Sequence, residues 1–187
     1  MTRIIGGTAG GRRLRTPPGS TTRPTSDRVR EALFSALEAS LGGWEGLRVL
    51  DLYAGTGAVG LEALSRGAAV ATFVEHDRRA AQVLRQNVAS LALPGGEVVV
   101  GSVSRVVGVP AREPYDLVFA DPPYPLAEDD LAGVLAALVT GAWLAPDAVV
   151  VVERSGRSPA PRLPEGIAPD RRKDYGETSL WYGRADS

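Results

Sequence analysis

Along most of the chain, short apolar runs alternate with stretches in which apolar residues recur every three or four positions. Leu47 to Tyr53 is an apolar run closed by glycines, and Val59 to Ser65 follows with helical spacing. Ala69 to Glu75 predicts a second strand, and Arg78 to Leu91 a second helix with Ala81, Val83, Leu84 and Val88 turned inward. Glu97 to Val100, Leu117 to Ala120 and Val149 to Val152 have the unbroken apolar character of strands covered on both faces. A helix is expected over Asp130 to Leu138, and Ile167 to Arg172 with Ser179 to Tyr182 predicts an antiparallel pair at one edge. Upstream, Ser26 or Asp27 is placed to cap a helix in which Val29, Leu33, Phe34 and Leu37 recur, running to about Leu41 and stopping at Gly42-Gly43. Ile4-Ile5 and Leu14 flank two glycine pairs, which predicts a short hairpin followed by an extended Thr-Pro-Pro-Gly linker. Alternating β and α elements of this kind define an α/β fold, a doubly wound, largely parallel sheet with helices on both faces. The expected division is an N-terminal hairpin arm over residues 1–25 and one domain over residues 26–187.

Composition narrows the chemistry. With 187 residues, 44% hydrophobic and 23% charged, the chain is long enough for one globular domain with a small appendage. The longest apolar stretch, Ala132 to Ala145, is shorter than the ~18 residues of a bilayer span and is broken by Gly133, Thr140 and Gly141. The first residues, Met-Thr-Arg-Ile-Ile-Gly-Gly, lack the apolar core of a signal peptide, so a cytoplasmic protein is expected. The absence of cysteine excludes disulfides, thiolate metal sites and cysteine nucleophiles, and a single histidine, His76, leaves little for a metal; none is expected.

Charge is unevenly distributed. Residues 1–30 hold Arg3, Arg12, Arg13, Arg15, Arg23, Arg28 and Arg30 against Asp27 alone, a net of +6, whereas the remainder carries −7. A basic arm on an acidic body suits contact with a polyanion.

Gly55, Gly57 and Gly60 match a nucleotide-binding glycine turn, with Glu75 about 20 residues after the first glycine, where a ribose hydroxyl is read. Asp51, four residues before Gly55, decides the type of cofactor. A carboxylate beside a pyrophosphate repels it, whereas the ammonium and sulfonium of S-adenosylmethionine are attracted. Asp51 as a plain cap of the following turn is the bland alternative. Glu75 is expected to accept from the ribose 2′ and 3′ hydroxyls, with Asp77 equally able to cap the next helix. Tyr53, Thr56 and His76 complete the expected cofactor contacts from these segments.

The second motif is Asp121-Pro122-Pro123-Tyr124-Pro125. Consecutive prolines cannot continue a central strand, so the chain turns into a rigid loop at the carboxyl edge of the sheet. Asp121 and the Pro122 carbonyl can each accept an N–H of an exocyclic base amine, while Tyr124 stacks on the base. Two acceptors favour a pyramidal nitrogen whose lone pair faces the methyl donor, and Asp121 stabilises the ammonium-like product. Asp121, Pro122 and Tyr124 are therefore the expected catalytic residues, Asp121 also touching the cofactor. Without a thiol for covalent attack at a pyrimidine carbon, a nitrogen target remains.

With these residues in hand, the chain resembles the class I S-adenosylmethionine-dependent methyltransferases that carry an Asp/Asn-Pro-Pro-Tyr motif, and more narrowly the RsmD-type ribosomal RNA guanine-N2 methyltransferases of bacteria. The narrower likeness rests on Arg3-Ile4-Ile5-Gly6-Gly7 with Gly11-Arg12-Arg13-Leu14, on the block from Arg23-Pro24-Thr25 to Phe34, on Leu50 to Gly57, and on Tyr175-Gly176-Glu177-Thr178. It implies a Rossmann-like seven-stranded sheet, methylation of one guanosine N2 in 16S rRNA, and the small ribosomal subunit as partner. It also implies that Ser102 and Val103 lie against the adenine, with serine offering a shorter reach than the family's usual Asp or Asn. Arg12, Arg13, Arg15, Arg23 and Arg28 are expected to meet phosphates, and Thr25 with Arg28 to line the pocket mouth. The target base is expected to be extruded or already unpaired, and the protein to act as a monomer.

Three other functions fit parts of the pattern. Adenine N6 in DNA or RNA is an exocyclic amine that the Asp-Pro-Pro-Tyr corner does not distinguish from guanine N2. The glycine turn alone also suits an NAD-dependent oxidoreductase, and the arginines alone suit an RNA-binding module without catalysis.

Overall fold

The computed structural model describes residues 2–17 and 26–187. Two short strands, β1 (Thr2–Arg3) and β2 (Arg13–Leu14), pair antiparallel as the hairpin. Then follow α1 (Asp27–Leu41), β3 (Arg48–Leu52), α2 (Ala58–Arg66), β4 (Val70–Glu75), α3 (Arg78–Leu91), β5 (Gly96–Val100), α4 (Val103–Val107), β6 (Tyr115–Ala120), α5 (Glu128–Thr140), β7 (Leu144–Ser155), β8 (Ile167–Tyr175) and β9 (Thr178–Ala185). Seven strands form one sheet in the order β5-β4-β3-β6-β7-β9-β8. The first five are parallel, and β9 runs antiparallel between β7 and β8.

The local signals explain most boundaries. Ser26 accepts from the Val29 N–H at the start of α1, and Gly42 closes that helix in the left-handed conformation, its N–H donating to the Glu38 carbonyl. Asp77 caps α3 by accepting from Ala80 N–H at 2.7 Å. Alternation along the strands splits the core in two. Val49, Phe73, Leu117, Phe119 and Val151 pack under Leu33 of α1, Leu61 of α2 and Leu84 of α3. Leu50, Leu52, Val74, Val118 and Val152 pack under Val103 and Val107 of α4 and Leu131, Leu135 and Leu138 of α5. The sheet is thus covered on both faces.

Four elements depart from the sequence reading, the first being β5, expected as a covered strand and found partly exposed at the edge of the sheet. α4 was not expected, because five residues carry only one repeat of an apolar spacing, Val103 to Val107. β7 begins at Leu144 rather than Val149, its first part being half-exposed or exposed and its pairing with β6 shifting between Tyr115 and Leu117. β8 runs on to Tyr175 through five polar residues, as an edge strand can. Among the described residues, no helix is long and apolar enough to cross a membrane.

The hairpin is stapled to the domain rather than free of it. Ile4 and Leu14 are buried in the same core as α1 and α2. The Glu62 carboxylate of α2, fully buried, accepts from the backbone N–H groups of Ile5 at 2.7 Å and Gly6 at 2.8 Å and from Arg66 Nε at 2.9 Å. Arg30 of α1, also buried, lies 3.9 Å from Glu62 and donates to the Arg3 carbonyl and to Asp27. A buried carboxylate with this many donors is stable only while they remain. Glu62→Ala is expected to lower unfolding free energy by about 3 kcal/mol in a urea titration, and to speed amide hydrogen exchange at Ile5 and Gly6 before the sheet is affected.

Candidate active site

In a sheet with order β5-β4-β3-β6, consecutive connections run one way from β3 to β5 and the other from β6, so the loops part above β3 and β6. That point, at the carboxyl ends of the strands, is where α/β sheets hold ligands. A cleft of ≈ 540 Å³ opens there, lined by Tyr53 beyond β3, His76 beyond β4, Ser102 and Val103 beyond β5, Pro123 beyond β6, and Asp129 and Asp130 from α5. Tyr53 is held at φ 58°, a strained setting for a non-glycine residue and one often found at functional sites. Ser102 stands at the start of α4 without making a capping bond with its side chain.

The glycine turn is shaped by its neighbours. Gly57 has φ 80°, and a Cβ there would meet Leu84 Cδ1 at 2.2 Å; at Gly60 a Cβ would meet Phe73 Cε1 at 2.4 Å. The start of α2 therefore lies close on α3 at Gly57 and on β4 at Gly60 only because these positions lack side chains. Asp51 is buried and accepts from the Gly60 N–H at 3.0 Å, which ties the tip of β3 to the first turn of α2. The capping alternative is thus realised in part, with the second carboxylate oxygen left over. Glu75 is buried too; one oxygen accepts from Gly55 N–H at 2.8 Å, the other from Asp77 N–H at 2.8 Å and lies 3.2 Å from His76 Nδ1. The oxygen that meets Gly55 retains a lone pair for a further donor.

Negative charge is crowded at these strand tips. Burial, followed by the nearby Glu75, pushes the Asp51 carboxyl up to about 8 against the Gly60 hydrogen bond. Asp121 follows Ala120, which is in register with both Leu52 of β3 and Val152 of β7, so Glu153 is its neighbour on the next strand. Crowding by protein atoms, then Glu153 and Asp51, raise the Asp121 carboxyl well above the usual range, and Arg154 pulls it back. Its side chain nonetheless reaches solvent. Pro122 is buried, whereas Tyr124 is 79% exposed. A set of carboxylates that cannot all ionise when alone fits a cation. The ammonium and sulfonium of S-adenosylmethionine are groups that such carboxylates could hold; among the described residues no cluster of His, Asp and Glu suits a metal ion.

The remaining expected residues divide. Arg12 donates to the carbonyls of Leu91 at 3.1 Å and of Ser90, at the end of α3, and so caps a helix. Arg15 donates through its guanidinium to Gln86 at 3.1 Å. Arg13 and Arg28 are exposed. Arg23 and Thr25 lie outside the described residues. Sequence reasoning missed Asn87, which is fully buried in α3: its carboxamide accepts from Arg15 N–H at 2.8 Å and donates to the Arg15 and Thr56 carbonyls, both at 3.0 Å. It joins the hairpin's exit to the glycine turn. The signal was a polar residue three positions after Leu84 and four before Leu91, on the buried stripe. It also missed Arg154, buried on β7 and paired with Glu128 of α5.

The fold, with a cleft at the strand ends beside the glycine turn and the acidic strand tips, defines a Rossmann-like methyltransferase. The chain belongs to the family described as Conserved hypothetical protein 95, whose profile matches residues 2–184. It is 38% identical over 177 residues to Ribosomal RNA small subunit methyltransferase D of Escherichia coli (strain K12), covering 95% of this chain and 86% of that one. With the protein of the same name from Haemophilus influenzae it shares 37% identity over 162 residues, 84% of this chain and 80% of the other. The solved structure of yhhF from Escherichia coli, a candidate methyltransferase, superposes with a TM-score of 0.87 at 34% identity, over 99% and 98% of the two chains.

Because Asp51 titrates near 8 when folded and 3.8 otherwise, it stabilises the ligand-free protein fully below pH 3.8 and loses that contribution as pH rises towards 8. Thermal melts of wild type minus Asp51→Asn are expected to show the difference declining between pH 4 and 8; parallel curves would refute the buried, protonated carboxyl.

Proposed function

We propose that this chain transfers a methyl group from S-adenosylmethionine to the exocyclic N2 amine of one guanosine in 16S rRNA of the small ribosomal subunit, acting as a cytoplasmic monomer. The observation that carries the reading is the convergence of Asp51, Glu75 and Asp121 at adjacent strand tips, with Asp121 opening a Pro-Pro-Tyr loop beside the cleft. Family membership sides with methyl transfer over hydride transfer or bare RNA binding, and the names of the relatives supply the RNA and its subunit.

Bound in the cleft, S-adenosylmethionine supplies an electrophilic methyl carbon on a cationic sulfur. Asp51 and Glu75 hold its charged and ribose ends, while Tyr53, Ser102 and Val103 border the adenosine. Asp121 and the Pro122 carbonyl accept the two amine hydrogens and turn the nitrogen lone pair towards the carbon. As the carbon–nitrogen bond forms and the carbon–sulfur bond breaks, positive charge moves onto the amine; Asp121 stabilises it and takes the proton. Tyr124, largely exposed, is free to stack on an extruded guanine. Arg13 and Arg28, with Arg23 and Thr25, take the phosphate and pocket-mouth roles, while Arg12 and Arg15 add charge from positions already anchored to α3.

The decisive assay is methyl transfer from labelled S-adenosylmethionine to undermethylated 30S subunits, followed by digestion to nucleosides. N2-methylguanosine is expected; N6-methyladenosine as the only product would move the reading to adenine. Asp121→Ala is expected to lower turnover by about 10²-fold or more while S-adenosylhomocysteine still raises the melting temperature. Tyr124→Ala is expected to weaken RNA affinity by about 1–3 kcal/mol with cofactor affinity unchanged.

A further inference from the structure

The 121–127 loop that carries Asp121, Pro122 and Tyr124 is held at its start by β6 and at its end by α5. Within it, Leu126 N–H donates to the Pro123 carbonyl at 2.9 Å, a turn that fixes the middle. At the end, no side chain caps α5: Ala127 stands at its N-cap, and Glu128, Asp129 and Asp130 crowd the first turn. Arg162 pairs with Asp129 at the surface, and a buried cation answers Glu128. Arg154, two residues past Val152 on β7, has a side chain 5% exposed and pairs with Glu128 at the first residue of α5. Its Nε is buried and makes no hydrogen bond. Such a guanidinium has been taken out of water to sit where it does, and its field reaches both Asp121 and Tyr53.

The groups around it are few and can be named. Asp121 faces the carboxyls of Glu153 from β7 and Asp51 from β3, each of which raises it when ionised; Tyr53 faces Asp130 from α5. Arg154 is a positive charge acting on both Asp121 and Tyr53. We propose that Arg154 is a positioning residue for methyl transfer, anchoring the end of the 121–127 loop through Glu128 and setting a fixed positive charge on the strand beside the one that leads into Asp121. This rests on the reading of Asp121 given above. The two roles are separable. The ion pair with Glu128 sets where the loop lies, and so governs the geometry in which the amine is held. The charge beside Asp121 works against burial, Glu153 and Asp51, so that the carboxyl gives up its proton more readily than it would without Arg154.

Three variants distinguish the roles. Arg154→Met loses both: kcat is expected to fall at least about tenfold, with the affinity for S-adenosylhomocysteine within about threefold of wild type, and the acidic limb of the pH–rate profile is expected to move to higher pH because the Asp121 carboxyl binds its proton more tightly. Arg154→Lys keeps the charge without the planar fork; its acidic limb is expected to return to the wild-type position while kcat recovers only in part. Glu128→Gln keeps the cation and loses its charged partner; kcat is expected to fall with the acidic limb unmoved or shifted to lower pH. Wild-type activity on 30S subunits, measured in parallel, separates a failure here from a failure of the proposed reaction. If Arg154→Met folds, by its melting curve, and its limb stays in place, the electrostatic role is wrong. If Arg154→Met does not fold, an unchanged kcat in both Arg154→Lys and Glu128→Gln overturns the anchoring role, and a limb displaced in Arg154→Lys as far as in a neutral variant such as Arg154→Gln overturns the electrostatic one.

Discussion

The hydrogen bond from Gly60 N–H to Asp51 fixes the tip of the central strand against the first turn of α2. It does so at an electrostatic cost, since it holds a carboxylate out of water within reach of Glu75 and close enough to Asp121 to raise it. The strain is tolerated because the surrounding parallel strands over-determine the position. Asp51 lies in register with Phe73 of β4 and Phe119 of β6, both buried. Around that bond the site is organised: Glu75 is turned to Gly55, the glycine turn lies flat on β4, and Asp121 comes level with Glu153. Alone, the Asp51 carboxyl avoids that cost by holding its proton; a positively charged guest favours the ionised form instead, which is a physical preference for a sulfonium over a pyrophosphate.

Much of this arrangement was legible in the sequence. Apolar runs gave the five parallel strands, the Ser26 and Asp77 caps gave helix starts, and the spacing of Asp51, Gly55, Gly57 and Gly60 gave the turn. Those signals are local and depend on residues within one turn or one strand of each other. What was not legible acts across long separations. Glu62 reads as one acid in an amphipathic helix, and only the fold reveals that Ile5 and Gly6 reach it from 57 and 56 residues away. Arg30 and Arg12 read as solvated charges of a basic arm, yet one is buried against Glu62 and the other caps α3. Arg154 reads as the end of an apolar strand, and its partner Glu128 lies 26 residues before it, across a helix.

This changes how the basic N-terminal segment is understood. Net charge suggested an arm reserved for a polyanion, but part of its arginine content is used within the protein. Arg3 and Arg30 both meet Asp27, Arg12 satisfies the orphan carbonyls at the end of α3, and Arg15 is engaged by Gln86. Structural use and contact with RNA are compatible, since Arg13 and Arg28 remain exposed and a guanidinium on a helix end still projects a field.

The placement of Asn87 has a consequence for biogenesis. Its carboxamide grips the main chain of Arg15, which is made 72 residues earlier, and the same group holds the Thr56 carbonyl. On a ribosome adding residues from the amino end, the hairpin emerges long before α2 and α3 exist to receive it. The first strand pair must wait, unsupported, until close to half the polypeptide has left the exit tunnel. The cofactor turn and the basic segment thus lock in the same late step, so a nascent chain cannot acquire one finished half of its working surface ahead of the other.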